Sequence, residues 1–177
     1  TKRKKPNNPT ILFVGNFKWL PNRDAAKFLI EHIWPKIKDQ VNDAKLWIVG
    51  RNPTDDIKKY ESDNIKIDEK VEDIRFAYGN SDVLVAPIRN GRGTKYKILE
   101  AMATRTPIVG TPLATDGIDV KNEIHAYIAT SAQELADKTV YLLKNHKVSR
   151  KIAENAYTLV ANDYNWKKIS DILDKVY

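Results

Sequence analysis

The sequence predicts a doubly wound α/β domain built on an all-parallel sheet sandwiched by helices, and three observations carry that prediction. Short apolar runs recur at Thr10–Val14, Lys45–Val49, Ile65–Ile67, Asp82–Ala86 and Ile108–Val109; runs of this kind sit in strands covered on both faces. Helical periodicity fills the intervals, so strands alternate with helices in the manner of parallel crossovers. Turn residues stand where the runs end: Gly15 after the first, Gly50 after the second, Asn90 to Gly93 after the fourth. In such sheets ligands lie at the carboxyl ends of the strands, beside the switch in strand order. The loops after Val14, Val49, Ile67, Ala86 and Val109 are therefore expected to converge on one cleft.

The elements follow in order. Residues 1–9 read as a basic linker: Lys2, Arg3, Lys4 and Lys5 precede Pro6 and Pro9, which with two asparagines resist helix and strand. Residues 10–177 then form one domain. Thr10–Val14 is apolar throughout and central. Asp24–Ile37 is an amphipathic helix with Ala25, Phe28, Leu29 and Ile33 at helical spacing, and Trp34-Pro35 mark its far end. Lys45–Val49 is the second strand, closed by Gly50 and the turn Arg51-Asn52-Pro53. Ile57–Tyr60 suits a short helix, Ile65–Ile67 a third strand, and Val71–Tyr78 another helix. Pro112 to Ile118 is a loop, and His125–Ala129 the last strand. Ser131 and Glu134 form a capping box for a helix over Ala132–Lys144. Two further helices are expected, near Lys147–Ala161 and Trp166–Val176.

Composition narrows the function classes. At 42% hydrophobic and 30% charged residues the chain is an ordinary globular sequence, long enough at 177 residues for a substantial core. No apolar run approaches the length of a membrane-spanning helix, and the polar, basic start has no secretory h-region. The absence of cysteine rules out disulfides and thiolate metal sites. The net charge of +7 invites nucleic acid as a partner, but the first basic run supplies four of those charges and leaves about +3. That run reads as a solvated linker or as a contact for anionic lipid. His32 has no second metal ligand near it in sequence. Trp19, Trp34 and Trp47 are expected in the core or lining a cleft rather than stacking on bases.

The densest chemistry lies from Asp82 to Thr111, DVLVAPIRNGRGTKYKILEAMATRTPIVGT. A strand feeds a loop whose Gly91 and Gly93 free the backbone, and Thr94 is a plausible N-cap for a helix with Ile98, Leu99, Met102 and Ala103 on its apolar face. A glycine loop leading into a helix N-terminus presents N–H groups and a positive dipole end, which suits a phosphate. Arg92, Lys95 and Lys97 oppose that dipole unless an anion arrives. Glu100 sits among apolar neighbours, where a carboxylate needs a hydrogen-bonding partner. The alternative is that Lys97 and Glu100 form a surface pair and the loop is only a tight turn.

The string GRGTKYKILEAMATRTPIVGT resembles the nucleotide-sugar donor segment of retaining glycosyltransferase family 4, the GT-B enzymes. FVGNFKWLPNRDA at Phe13–Ala25 is similar to the opening strand and loop of their C-terminal domain, and WIVGR at Trp47–Arg51 to its second strand. The resemblance implies a hexosyltransferase-type enzyme of polysaccharide or glycoconjugate biosynthesis. Its donor-binding half would hold a nucleotide-diphosphate sugar; no Asp-x-Asp dyad or Cys/His cluster lies near the glycine loop, so no metal and no cofactor is expected. Glu100 matches the glutamate that bonds the ribose hydroxyls. Arg92, Lys95 and the amides near Thr94 fall to the diphosphate; Gly15, Asn16, Arg51, Gly91, Gly93 and Lys97 complete the implied donor site. The pattern departs from the family in two places. Asn16 stands where an Arg is usual, with Lys18 not clearly in the position of the following Lys. Gly93 stands where a second glutamate usually contacts the sugar. Catalytic residues are left unassigned, because the acceptor and much of the catalytic constellation would belong to an N-terminal domain of the same parent chain. The implied location is cytoplasmic, with the inner face of the cell membrane as an option. A nicotinamide domain is disfavoured, since Gly15 to Leu20 does not give G-x-G-x-x-G. A phospho-acceptor domain would want aspartates after the first strand. A catalytically inactive nucleotide-binding or scaffold module is the remaining alternative, and measurable nucleotide-sugar binding separates it from the enzyme.

Overall fold

β1 (Thr10–Val14) lies at the centre of the sheet, and the whole site is positioned from it. In the computed structural model, which describes residues 8–91 and 95–164, six parallel strands follow the order β3-β2-β1-β4-β5-β6. These are β2 (Lys45–Val49), β3 (Ile65–Asp68), β4 (Val83–Ala86), β5 (Ile108–Gly110) and β6 (Tyr127–Ile128). The doubly wound expectation holds. β1 pairs with β2 through Phe13↔Ile48 on one side and with β4 through Leu12↔Leu84 on the other. The chain thus leaves β1 in one direction and returns on its other flank, which puts the topological switch between β1 and β4. Ile11, Leu12 and Phe13 have no exposed surface, as a strand covered on both faces requires.

The first helical stretch is longer than its sequence pattern suggests. α1 (Leu20–Phe28) passes through a π-helical turn (Leu29–Ile33) into α2 (Trp34–Gln40), so Trp34-Pro35 do not end it. Pro35 lacks an N–H and its ring crowds the carbonyl four residues back. The π turn widens the ladder just there, with Trp34 N–H donating to Leu29 O, and the helix continues. α3 (Asp55–Lys58) and α4 (Ile74–Gly79) are short. α4 starts later than the predicted Val71 because Asp73 caps it, accepting from the Arg75 N–H at 2.9 Å.

α5 (Tyr96–Ala103) buries Ile98, Ala101 and Met102, whereas Ala103 is exposed, contrary to expectation. Its buried stripe follows 98-101-102, and α8 packs along it. Pro112–Thr115, expected as loop, is a short helix α6 capped by Thr111. β6 is only two residues of the predicted five, an edge strand with one neighbour. α7 (Ala132–Lys144) carries the predicted capping box. It packs on α2 and β4, while α8 (His146–Asp163) packs on α5 and α7. The basic run Lys2–Lys5 and the expected Trp166–Val176 helix lie outside the described residues. Of the tryptophans, Trp34 is core, Trp47 is half-buried beneath Phe76 with their ring centroids 6.2 Å apart, and Trp19 is 62% exposed. Trp19 occupies the N-cap position of α1, in the loop after β1, and its side chain makes no cap hydrogen bond.

Candidate functional site

The loops at the carboxyl ends of the strands meet, and backbone chemistry ties them. After β1 and β2, the Gly15 N–H donates to Val49 O at 3.0 Å and the Phe17 N–H to Arg51 O at 2.9 Å. Gly50 has φ +154°, and a Cβ there would stand 1.6 Å from the Gly15 carbonyl oxygen. Only glycine lets these two backbones touch. The Asn16 side chain fastens the same junction, its Oδ1 accepting from the Lys18 N–H and from Asn52 Nδ2. On the other side of the switch, Thr111 donates its hydroxyl to Ile88 O, joining the loops after β4 and β5. Arg89 pairs with Asp24 of α1 through Nη2 at 2.6 Å. Gly91, at φ +93°, folds against Pro21, whose Cγ would lie 2.6 Å from an added Cβ.

α5 delivers the charged groups to this junction. Lys95 occupies its N-cap position, one residue beyond the Thr94 predicted for it, and gives the first turn no side-chain acceptor. Thr94, Arg92 and Gly93 lie outside the described residues. Lys97, half-buried, is not a surface partner of Glu100. Its Nζ donates to Asn22 Oδ1 at 2.8 Å and lies 4.8 Å from the Phe13 ring centroid. Burial pushes the Lys97 ammonium down to about 8, helped by the neighbouring Lys95 charge. Asn22 in turn donates from Nδ2 to Asn16 O at 2.9 Å, so a relay runs from α5 through α1 to the first loop. A Cβ on Gly15 would stand 3.0 Å from Asn22 Cγ, so the glycine there makes room for Asn22.

Glu100 has the partner its apolar setting demands. Tyr78, wholly buried at the end of α4, donates its hydroxyl to Glu100 Oε2 at 2.8 Å, with the Lys97 carbonyl 3.2 Å away. Burial and the Glu100 charge both push the phenol well above its ordinary value, so it stays a donor. Among the described residues, Glu100 Oε1 takes no hydrogen bond. Gly15, Asn16, Gly91, Lys95, Lys97 and Glu100 are thus gathered around the switch. Arg51 contributes its carbonyl to the junction, while its side chain is exposed. Sequence reasoning missed Tyr78, Asn22 and Phe13. Tyr78 read only as the end of a helix, and nothing local to Asn22 or Phe13 points to Lys97, 75 and 84 positions away. His32 lies against Phe28, the two rings tilted at 47° with centroids 5.4 Å apart.

The family model described as glycosyl transferases group 1 matches residues 8–145. This chain belongs to that family. Within it, the chain is 27% identical over 176 residues to a phosphatidyl-myo-inositol mannosyltransferase of Mycobacterium leprae, a match covering 95% of this chain and 46% of the relative. The chain spans about half the length of the curated relatives it matches. The fold is shared with the C-terminal domain of the group 1 protein LpcC from Francisella tularensis (TM-score 0.70, 22% identity, 92% of this chain and 89% of that one). It is shared also with HepE of Anabaena, solved with UDP and glucose (TM-score 0.78, 14% identity, 96% and 48%). The chain has the architecture of a GT-B C-terminal domain.

Proposed function

We propose that this chain is the donor-binding half of a retaining glycosyltransferase of the family 4 type, gripping a nucleotide-diphosphate sugar for transfer without a metal ion. The observation that carries the reading is that Lys97 and Glu100 stand one helical turn apart on α5, with Lys97 tied through Asn22 to the loop after β1 and Glu100 held by Tyr78. Transfer needs the diphosphate leaving group neutralised, the nucleoside gripped and the sugar oriented. Lys95 and Lys97, with the dipole of α5, supply positive charge for the diphosphate, a role assigned also to Arg92 and the amides about Gly93 and Thr94. Glu100 is suited to accept from ribose hydroxyls. Gly15, Asn16, Arg51 and Gly91 complete the rim. The UDP and glucose in the HepE structure and the mannosyl transfer named for the mycobacterial relative support a nucleotide sugar as ligand.

The acceptor belongs, in this proposal, to an N-terminal domain of the same parent chain, consistent with the half-length match to relatives. Among the described residues no helix is long and apolar enough to cross a membrane. We place the enzyme in the cytoplasm, with the inner face of the cell membrane as an option because Lys2, Arg3, Lys4 and Lys5 offer charge to anionic headgroups at ~1 kcal/mol each. The test is calorimetric titration of UDP, GDP and ADP with and without EDTA. One nucleotide should bind on the order of 0.1–1 mM, with half of the cleft's contacts supplied by this chain. Affinity should be the same in both conditions. Binding that vanishes on chelation overturns the metal-free reading; no binding of any nucleotide overturns the donor site.

A further inference from the structure

Tyr78 is a buried phenol with a charged partner that the donor reading leaves unused. Its main chain is fixed from below, where buried Thr106 donates its hydroxyl to Tyr78 O at 3.1 Å. Its side chain reaches across to α5, where one hydroxyl proton faces two acceptors: Glu100 Oε2 at 2.8 Å and the Lys97 carbonyl at 3.2 Å. The nearer acceptor is the carboxylate, and a hydrogen bond to an ionised group is the stronger of the two. A glutamate side chain has three rotatable bonds, and one on a helix face swings freely unless something outside the helix holds it. The donor held by α4 removes that freedom. With Oε2 engaged by Tyr78, Oε1 is the oxygen left to a ligand.

We propose that Tyr78 is a positioning residue for nucleoside recognition, acting through Glu100 to orient one carboxylate oxygen toward a ribose hydroxyl. The inference rests on the reading of Glu100 as the ribose contact, and its test separates the two. The probes are whichever of UDP, GDP and ADP binds the full chain most tightly, with its 2′-deoxy and 3′-deoxy analogues. The wild type should favour the ribonucleotide over at least one deoxy analogue by about tenfold, the size of one charge-assisted hydrogen bond. Glu100→Gln should erase that preference. Tyr78→Phe should weaken the ribonucleotide about three- to tenfold and leave the deoxy analogue within twofold, so that discrimination collapses.

A purely structural Tyr78 would lower the melting temperature and shift both nucleotides together, or neither; discrimination kept in Tyr78→Phe overturns the proposal. Should that variant fail to fold, the Tyr78→Phe/Glu100→Gln pair removes the stranded charge. Its affinities should equal those of Glu100→Gln alone, and a further loss would overturn the proposal. Discrimination that survives Glu100→Gln sinks the ribose reading itself, and this inference with it.

Discussion

Lys97 is the residue at which burial and function pull against each other. Its ammonium lies against Phe13 with one hydrogen bond to Asn22, near a second cation, and its pKa falls from 10.5 to about 8. Below pH 8 the folded and unfolded chains are both protonated there, and the folded state bears the full cost of the charge. Between about pH 8 and 10.5 the folded chain has lost the proton while the unfolded chain keeps it. Stability contributed by this group therefore rises with pH across that window. Denaturant unfolding of the wild type minus Lys97→Met, followed from pH 7 to 10.5, should show a gain on the order of 1–3 kcal/mol. A flat difference would show that the charge is well solvated. A bound diphosphate reverses the sign, because an anion favours the protonated form. Nucleotide affinity should fall as pH rises from 7 to 9, with proton uptake near pH 8 visible as buffer-dependent binding enthalpy.

At the scale of elements, the cleft depends on how closely the ends of β1 and β2 approach. Gly50→Ala places a methyl 1.6 Å from the Gly15 carbonyl in a conformation side chains avoid. The backbone must move, so we expect a loss of about 3–5 kcal/mol in chemical denaturation. Gly15→Ala meets side-chain atoms instead: Asn22 Cγ at 3.0 Å, Asn22 Cβ at 3.1 Å and Phe13 Cε1 at 3.2 Å. These neighbours need give by only a few tenths of an ångström, so the cost should be smaller, about 1–2 kcal/mol. Displacing Asn22 weakens its hydrogen bond with Lys97, and nucleotide affinity should fall more than stability does. Equal melting temperatures for the two variants would contradict the packing described here. The π turn before Pro35 belongs to the same scale. It is the local adjustment by which a helix-breaking residue is kept inside a continuous helical stretch that packs on α7.

For the whole molecule, the proposal turns on whether this chain supplies one wall of a cleft or the whole of it. A single α/β domain with the nucleotide site at its strand ends offers no opposing surface to hold an acceptor or exclude water. Trp19 and Leu20, at 62% and 70% exposure on the rim of the first loop, are apolar surface without cover among the described residues. The 177-residue chain should bind donor and transfer no sugar to an added acceptor. On the same proposal, joining it to an N-terminal acceptor domain should restore transfer, measured with labelled nucleotide sugars. Acceptor-dependent turnover by this chain alone would show that the half-enzyme proposal is wrong.

What the sequence by itself determined is the part written in local patterns. The apolar runs at Thr10–Val14 and Lys45–Val49 appear as strands with those bounds, since strands buried on both faces need continuous apolar residues. The Ser131–Glu134 box starts α7 where it was read, because both halves of that motif lie within four residues. The short run from Gly91 to Glu100 likewise exposed the candidate site, through glycine, lysine and glutamate at fixed spacing. Tertiary structure alone decided which groups hold that site. Tyr78 reaches Glu100 across 22 positions, and Asn22 and Phe13 reach Lys97 across 75 and 84. These partners come together only when the chain crosses from β3 to the far side of β1 and lays α4, α5 and α1 against one switch point, and no local spacing encodes that meeting.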